Sequence, residues 1–446
     1  MALFGTDGVR GIAKQQLTSQ LIFNLSIAAA KVLTKGTNSK PVVLIGNDSR
    51  ESAEYLERAV VAGLEKFGAE VHLAGVIPTP AVAYLVRKRN YDFGVMISAS
   101  HNLVPDNGIK FFAQGGEKLS DQIENEIEKL LLNEPINDVD LQQIDLKKYL
   151  DSSCASEYLS FLRTTVNENL KGLKVVVDCA NGAASLIAPK AYENAGATVI
   201  AISNQPDGFN INKNCGSTHL ENLITKVRET AADIGIAHDG DADRCLLIDH
   251  TGELVDGDQI LAMLAIAMKT SQKLSKNKVV ATVMSNQGFL DAMHKHSIEV
   301  VKTSVGDRYV LEQMQQEKLS IGGEQSGHIV ISEYATTGDG ILTALQVLQQ
   351  MANKKTSLKN LASVVVKYPQ VLLNVKNVDK SKLTNNQRIN SEISNQQQRI
   401  KGEGQILVRA SGTENLIRIM VEAKTLDLAN QIANEISKVV TSELGG

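Results

Sequence analysis

Apolar residues in this chain alternate between two rhythms. Val42-Val43-Leu44-Ile45 is a continuous apolar run, as in a strand buried on both faces, and Glu51 to Phe67 then carries Leu56, Val60, Leu64 and Phe67 at helical spacing. Val71-His72-Leu73 and Phe93 to Ile97 read as further strands, with a second helix near Ala81 to Lys88 between them. The unit is β-α-β-α-β and ends in Ser98-Ala99-Ser100-His101-Asn102.

That order returns twice. Strands at Lys174 to Val177, Ala197 to Ile202 and Asp233 to Ala237 are separated by helices near Ser185 to Ala195 and Leu220 to Thr230, and the unit ends in Asp239-Gly240-Asp241-Ala242-Asp243-Arg244. Strands at Lys278 to Ala281, Glu299 to Lys302 and Leu319 to Ile321, with helices at Gln287 to Lys295 and Val305 to Gln316, end in Gly322-Gly323-Glu324-Gln325-Ser326-Gly327-His328. Asp92-Phe93-Gly94-Val95-Met96-Ile97 matches Asp233-Ile234-Gly235-Ile236-Ala237-His238 visibly at residue level, although insertions make the repeat irregular. Ligands collect at the carboxyl ends of strands in open α/β sheets, so three such loops are expected to converge on one cleft.

After Tyr368-Pro369 the pattern changes. A strand over Gln370 to Val375, a polar Asn- and Gln-rich stretch (Asn385 to Gln398), a hairpin of Gln405 to Arg409 with Leu416 to Glu422, and an amphipathic final helix predict a smaller α+β domain. The fold class is therefore α/β: three repeated α/β domains with mixed sheets, at 1–150, 151–255 and 256–368, plus an α+β domain at 369–446, around a central cleft.

Composition narrows the function. With 446 residues, 43% of them hydrophobic, the chain can build several cores. Lys plus Arg number 46 against 50 Asp plus Glu, a net charge of −4, so no bulk positive field points to nucleic acid or an anionic membrane. The amino terminus lacks the pattern of a signal peptide and no apolar run reaches about 20 residues, so a soluble, cytoplasmic protein is expected. Cys154, Cys179, Cys215 and Cys245 stand far apart, which fits reduced thiols rather than a disulfide framework or zinc site.

Three carboxylates at alternating positions, Asp239, Asp241 and Asp243, repel unless a cation sits among them. An EF-hand is excluded, because Arg244 stands where its sixth position needs Gly and His250 where its twelfth needs Glu. Mg2+ is expected, against the alternative of a solvated acidic turn. Ser100 is a candidate nucleophile with His101 and Lys110 as candidate partners, against the alternative that both serines end a strand and satisfy its backbone. Glu324, Ser326 and His328 suit a polyhydroxylated ligand. Arg409, Ser411, Gly412 and Thr413, with Arg418, suit a phosphate monoester. Asp178-Cys179-Ala180-Asn181-Gly182 carries no phosphate-loop signature and reads as a structural turn.

Together and in this order, the serine, Asp, Glu-Ser-His and Arg-Ser-Gly-Thr loops resemble those of the α-D-phosphohexomutase superfamily, over essentially the whole chain. The opening Phe4-Gly5-Thr6-Asp7-Gly8-Val9-Arg10-Gly11 and Gln325 resemble the branch acting on glucosamine phosphates. The resemblance implies a phosphorylated Ser100, Mg2+ held by Asp239, Asp241, Asp243 and a serine-phosphate oxygen, and Arg244 facing the transferring phosphate. It implies substrate contacts from Arg10, Glu324, Ser326, His328, Arg409, Ser411, Gly412, Thr413 and Arg418. The implied isomerase interconverts glucosamine 6-phosphate and glucosamine 1-phosphate through glucosamine 1,6-bisphosphate, toward UDP-N-acetylglucosamine. His101, Lys110 and His328 remain open as general acid and base. A small amino-sugar phosphate is the expected partner, and a homodimer is one option for assembly. Leu103 and Asn415 depart from the prolines usual in the family, which leaves the rigidity of both loops open. The alternatives are a mutase for mannose or glucose phosphates and, more distantly, a Mg-dependent sugar phosphatase.

Overall fold

The computed structural model describes residues 3–5, 7–36, 39–133, 141–411 and 415–445. They form two compact units, 1–284 with 299–363 and 285–298 with 364–446. The first sheet comprises β1 (Phe4–Gly5), β2 (Gly8–Ile12), β3 (Val42–Asn47), β4 (Glu70–Val76), β5 (Phe93–Ile97) and β6 (Asp106–Ala113), ordered β1-β2-β6-β5-β3-β4. Its helices are α1 (Ser19–Leu33), α2 (Ala53–Phe67), α3 (Thr79–Arg89) and α4 (Asp121–Asn133). The second comprises β7 (Lys174–Asp178), β8 (Thr198–Ile202), β9 (Ile234–His238), β10 (Cys245–Asp249) and β11 (Leu254–Val255), ordered β11-β10-β9-β7-β8, with α5 (Ser153–Thr164), α6 (Ala184–Asn194) and α7 (Glu221–Thr230). The third comprises β12 (Lys278–Thr282), β13 (Glu299–Thr303), β14 (Ile321–Gly323) and β15 (Ile329–Ile331), ordered β13-β12-β14-β15. Around it in sequence lie α8 (Gly257–Thr270), α9 (Gln287–Lys295), α10 (Asp307–Glu317), α11 (Gly340–Lys354) and α12 (Leu358–Ala362), of which α9 belongs to the second unit.

Apart from extra edge strands the three sheets share one plan: β4-β3-β5-β6, β8-β7-β9-β10 and β13-β12-β14-β15. In each, the third strand of the repeat (β5, β9 or β14) runs parallel to the first and antiparallel to the fourth. The connection leaving that third strand is the serine loop, the Asp loop and the Glu-Ser-His loop in turn. β5 and β9 are buried along their whole length, as their unbroken apolar runs require.

Helices α1, α8 and α11 lie outside the elements read from spacing. Each has an unbroken run of buried residues, Ile22 to Ala30, Gly257 to Ala265 and Gly340 to Leu348, and a helix covered all round has no polar face to mark its period. Their ends are nonetheless encoded. Asp256 and Gln259 form a reciprocal cap on α8, and Asp339 accepts the Leu342 N–H at the start of α11.

In the second unit β16 (Gln370–Lys376), β17 (Gly404–Ala410) and β18 (Leu416–Ala423) form an antiparallel sheet ordered β16-β18-β17, with α13 (Gln387–Arg399) and α14 (Leu426–Leu444). The polar stretch at Asn385 to Gln398 is mostly α13. Asn386 caps it by accepting the Ile389 N–H, and Ile389, Ile393 and Gln396 supply a thin inward stripe. No helix among the described residues is long and apolar enough to cross a membrane.

Candidate active site

β5 carries both serines to the end of the first sheet, where they play different parts. Ser98 Oγ donates to Asp48 Oδ2 at 2.7 Å and accepts the Ser100 N–H at 2.9 Å, so it shapes the turn. Ser100 is buried with φ of 51°, a left-handed conformation that costs a side-chain-bearing residue about 1–2 kcal/mol. Its Oγ donates to Asp239 Oδ2 at 2.6 Å, while His101 Nδ1 stands at 3.4 Å. Asp239, not His101, is the closer acceptor.

Asp48 and Arg50, which the motif reading passed over, hold this strained loop. Arg50 Nε binds Asp48 Oδ2 at 2.9 Å, and its two amino groups reach the carbonyls of Leu103 (2.6 Å), Asp106 (3.0 Å), Ser100 (3.1 Å) and Asn102 (2.7 Å). Leu103 is thus pinned through its carbonyl where the family commonly uses a proline. A sequence signal does exist: Asp48 accepts the Arg50 N–H just after β3, and Asp178 accepts the Ala180 N–H at the end of β7, the same local turn after the first strand of two repeats. The turn after Asp178 also backs the Asp loop, since Ala183 N–H donates to the Gly240 carbonyl at 2.8 Å.

The Asp loop meets the serine loop through Gly240, where an added Cβ would lie 2.5 Å from the Ser100 carbonyl oxygen. Asp239, Asp241 and Asp243 are all buried, and one oxygen from each lies within 4.8 Å of the others. Asp241 Oδ1 and Asp243 Oδ1 are buried with no hydrogen-bond partner. Burial first, and then the mutual repulsion of the three, pushes Asp239 well above the ordinary carboxylate range and Asp243 upward. For Asp241 burial is outweighed by the Lys110 ammonium and by hydrogen bonds from Lys110 and Thr79, which hold it low. Orphaned oxygens converging in a dry site are the donor set of an oxygen-ligated divalent cation.

Lys110 Nζ sits among Asp241 (2.8 Å), Asp7 (2.7 Å) and Asp243 (3.9 Å). Burial would discharge it, but these carboxylates prevail and keep it an ammonium. Arg10 donates to Asp7 Oδ2 at 2.8 Å and is partly exposed. Burial, with Arg244 and Arg10 nearby, lowers the His101 pKa to about 4, leaving that imidazole neutral at pH 7. Arg244 keeps its guanidinium partly exposed, with Nε 3.9 Å from Asp243.

The third loop is stitched to the second by backbone. Cys245 N–H donates to the Gly327 carbonyl at 3.1 Å, and Arg244 pairs with His328. Gly327 is required there: its φ is 92° and a Cβ would lie 2.2 Å from the Cys245 carbonyl oxygen. His328 is buried with neither ring nitrogen hydrogen-bonded, its Nε2 3.6 Å from Asp307 and 3.9 Å from Asp243. Glu324 Oε1 accepts the Gly306 N–H at 3.1 Å, and Ser326 is exposed. Ser100, His101, Lys110, Asp239, Asp241, Asp243, Arg244 and His328 therefore lie in one linked cluster of the first unit.

The fourth loop belongs to the second unit. Arg409 and Arg418 are direct cross-strand partners on β17 and β18, which puts two guanidiniums on one face. Ser411 is buried and its carbonyl accepts Lys380 Nζ at 2.7 Å. Gly412 and Thr413 lie outside the described residues.

Family models described as phosphoglucomutase/phosphomannomutase alpha/beta/alpha domains I, II and III match residues 1–137, 156–252 and 256–368, and the C-terminal domain model matches 372–439. A phosphoglucosamine mutase of a Nocardioides species is 51% identical over 445 residues, covering 99% of each chain. One of Corynebacterium glutamicum is 49% identical over 441 residues, covering 98% of this chain and 99% of that protein. Among solved structures, a phosphoglucomutase/phosphomannomutase family protein from Burkholderia thailandensis has a TM-score of 0.81 at 18% identity, covering 100% and 99% of the two chains. Aspergillus fumigatus N-acetylphosphoglucosamine mutase, in complex with GlcNAc-6P and magnesium, has a TM-score of 0.70 at 20% identity, covering 99% and 95%. With all four of its domains matched in order and relatives this similar along their full length, the chain belongs to the phosphoglucomutase/phosphomannomutase family.

Proposed function

We propose that this protein is an isomerase that interconverts glucosamine 6-phosphate and glucosamine 1-phosphate through a phosphorylated Ser100 and glucosamine 1,6-bisphosphate. The observation that carries this reading is the contact of Ser100 Oγ with Asp239 at 2.6 Å, in a buried carboxylate cluster with two orphaned oxygens. The full-length relatives named phosphoglucosamine mutase support the choice of sugar.

Asp239, Asp241 and Asp243 would hold Mg2+ with an oxygen of the phosphorylated serine, and the ion would offset negative charge on the phosphoryl group. The chain's own residues do the rest. Ser100 Oγ gives its phosphoryl group to the free hydroxyl of the bound sugar phosphate, forming the bisphosphate. After the sugar turns over, Ser100 Oγ takes the phosphoryl group from the other end. Arg244 and Lys110 place positive charge beside the reacting oxygens, and such placement provides most of the catalysis in phosphoryl transfer. His101, Lys110 and His328 are the candidate general acid and base; His101 is neutral at pH 7, and Lys110, held as an ammonium by its carboxylates, serves as fixed positive charge. His328, Glu324, Ser326 and Arg10 contact the sugar phosphate. Arg409, Ser411 and Arg418, with Gly412 and Thr413, bind the phosphate that is not reacting, which must be either end of the sugar in turn. The product feeds UDP-N-acetylglucosamine formation.

Intact-protein mass spectrometry should find a species about 80 Da heavier, one phosphoryl group. Ser100→Ala should lose both that mass and mutase activity; full activity in that variant would falsify the mechanism. Comparing kcat/KM for glucosamine 6-phosphate, mannose 6-phosphate and glucose 6-phosphate tests the substrate, and a preference for either hexose phosphate would overturn it.

A further inference from the structure

The opening stretch around Asp7 finds its partners in the fold. Asp7 Oδ2 accepts Lys110 at 2.7 Å and Arg10 at 2.8 Å, while Asp7 Oδ1 accepts Lys118 Nζ at 2.6 Å. The same Lys118 Nζ binds Asp307 Oδ2, and Asp307 Oδ2 lies 3.6 Å from His328 Nε2. Charges therefore alternate in one unbroken line: Asp241, Lys110, Asp7, Lys118, Asp307, with His328 at its far end. The line starts in the Asp loop of the second repeat, crosses the first repeat and finishes in the third.

Local structure puts Lys118 in this place. The turn at Gly115-Gly116 folds the chain back so that Lys118 pairs with Phe112 of β6. Opposed residues of an antiparallel pair share a face, as do residues two apart on a strand, so Lys118, Phe112 and Lys110 point the same way. Asp307 begins α10, and the residue before it, Gly306, donates its N–H to Glu324 Oε1 at 3.1 Å. Whatever holds Asp307 thus holds Glu324 as well. Further ties join the same repeats: Arg308 to Asp121 and Glu124 of α4, Thr336 Oγ1 to the Gly116 carbonyl at 2.5 Å, and Arg87 to the Tyr334 carbonyl at 2.9 Å.

We infer that Lys118 is a positioning residue for the reaction: its ammonium bridges Asp7 and Asp307 and so fixes the Glu324 and His328 loop relative to Lys110 and Ser100. This rests on the mutase reading. Lys118 holds both carboxylates, so without it Asp7 and Asp307 would face each other as like charges across a nearly dry gap. They would separate, carrying α10 and the third loop away from the serine loop. A displacement of about 1 Å at a reacting geometry costs up to about a hundredfold in rate.

The test uses the full-length phosphorylated enzyme as parent, Lys118→Met, Lys118→Arg and Asp307→Asn. Three readouts are taken on each: kcat and KM for glucosamine 6-phosphate, amide exchange over 304–310, and the thermal midpoint. Lys118→Met and Asp307→Asn should each lower kcat about tenfold or more with KM changed by less than about threefold, and Lys118→Arg should return kcat to within about threefold of the parent. Exchange at Gly306 should rise about tenfold or more in the first two variants and stay near the parent in the third. Loss of stability alone would lower the midpoint and the active fraction, which also lowers apparent kcat at unchanged KM. For that reason kcat is normalised to the folded, phosphorylated fraction, and a rise in exchange confined to 304–310 marks loss of the tie. Parent-like kcat in Lys118→Met overturns the inference, as does an Arg variant as slow as the Met variant. A fall in kcat with Gly306 exchange unchanged also overturns it, because Lys118 would then act on the substrate directly. If Lys118→Met fails to fold, Asp307→Asn carries the same arms. A parent that does not turn over glucosamine 6-phosphate sinks the proposed function, and the exchange arm still decides whether Lys118 makes the tie.

Discussion

Replacing Arg50 by Met would remove one side chain that makes five hydrogen bonds, one to Asp48 and four to backbone carbonyls. Arg50 is 2% exposed; it pairs with fully buried Asp48 and binds four carbonyls of the loop that contains Ser100. Two of those carbonyls, of Ser100 and Asn102, keep a second donor in Asn212 Nδ2 at 2.8 and 3.0 Å, so their loss is partly covered. The dominant cost is Asp48. Burial already pushes its carboxyl upward against the pull of Arg50, and breaking a buried ion pair from one side costs about 3–5 kcal/mol. A second consequence falls on Ser100, whose left-handed backbone has to be held by its surroundings. The expected result is a lower thermal midpoint by about 5 °C or more and a mutase kcat reduced about a hundredfold, with serine phosphorylation slowed in parallel. The control is Asp48→Asn with Arg50→Met, which removes the stranded charge and should regain at least about half of the lost stability. Denaturant unfolding and the rate of phosphoryl incorporation measure the two effects. A single variant that loses under about 1 kcal/mol and keeps its phosphorylation rate would refute the reasoning, as would a double variant no more stable than the single one.

Gly240→Ala places a methyl group 2.5 Å from the Ser100 carbonyl oxygen, so it should lower kcat about tenfold or more; a parent-like kcat at saturating substrate would refute this. Removing divalent cations with EDTA should abolish turnover and lower the thermal midpoint, Mg2+ should restore both, and Asp243→Asn should weaken apparent Mg2+ affinity about tenfold or more by titration. Burial, and then Glu54, raises the Glu57 pKa from 4.5 to about 7 on α2, so the folded chain binds this proton more tightly than the unfolded one and stability falls as pH rises from 4.5 through 7. Glu57→Gln should therefore be more stable than the parent by about 2–3 kcal/mol at pH 8, with the gap closing toward pH 4.5; a gap independent of pH would contradict the assignment.

Much of this protein was decided within short stretches of chain. The strands of the three repeats follow from short continuous apolar runs and the amphipathic helices from a period of 3.6, and a repeated order of elements puts three odd loops at equivalent strand ends. Asp239, Asp241 and Asp243 were legible because like charges at alternating positions on one loop cannot separate, whatever surrounds them. Buried helices such as α1, α8 and α11, and the sparse stripe of α13, were not legible, because their period is either hidden by apolar residues on every side or nearly lost among polar ones.

Tertiary structure alone decided the partners. Arg50 meets Ser100 across 50 positions of chain, Lys110 meets Asp241 across 131, and Lys118 meets Asp307 across 189. The expected division between the two serines acquired its partners there: Ser98 Oγ binds Asp48 and the Ser100 N–H, and the Ser100 hydroxyl turns toward Asp239. The physical reason is the range of the interactions. A side chain's preference for a period is local, whereas a buried charge needs a partner whose position is set only when three sheets with the same strand order have packed together.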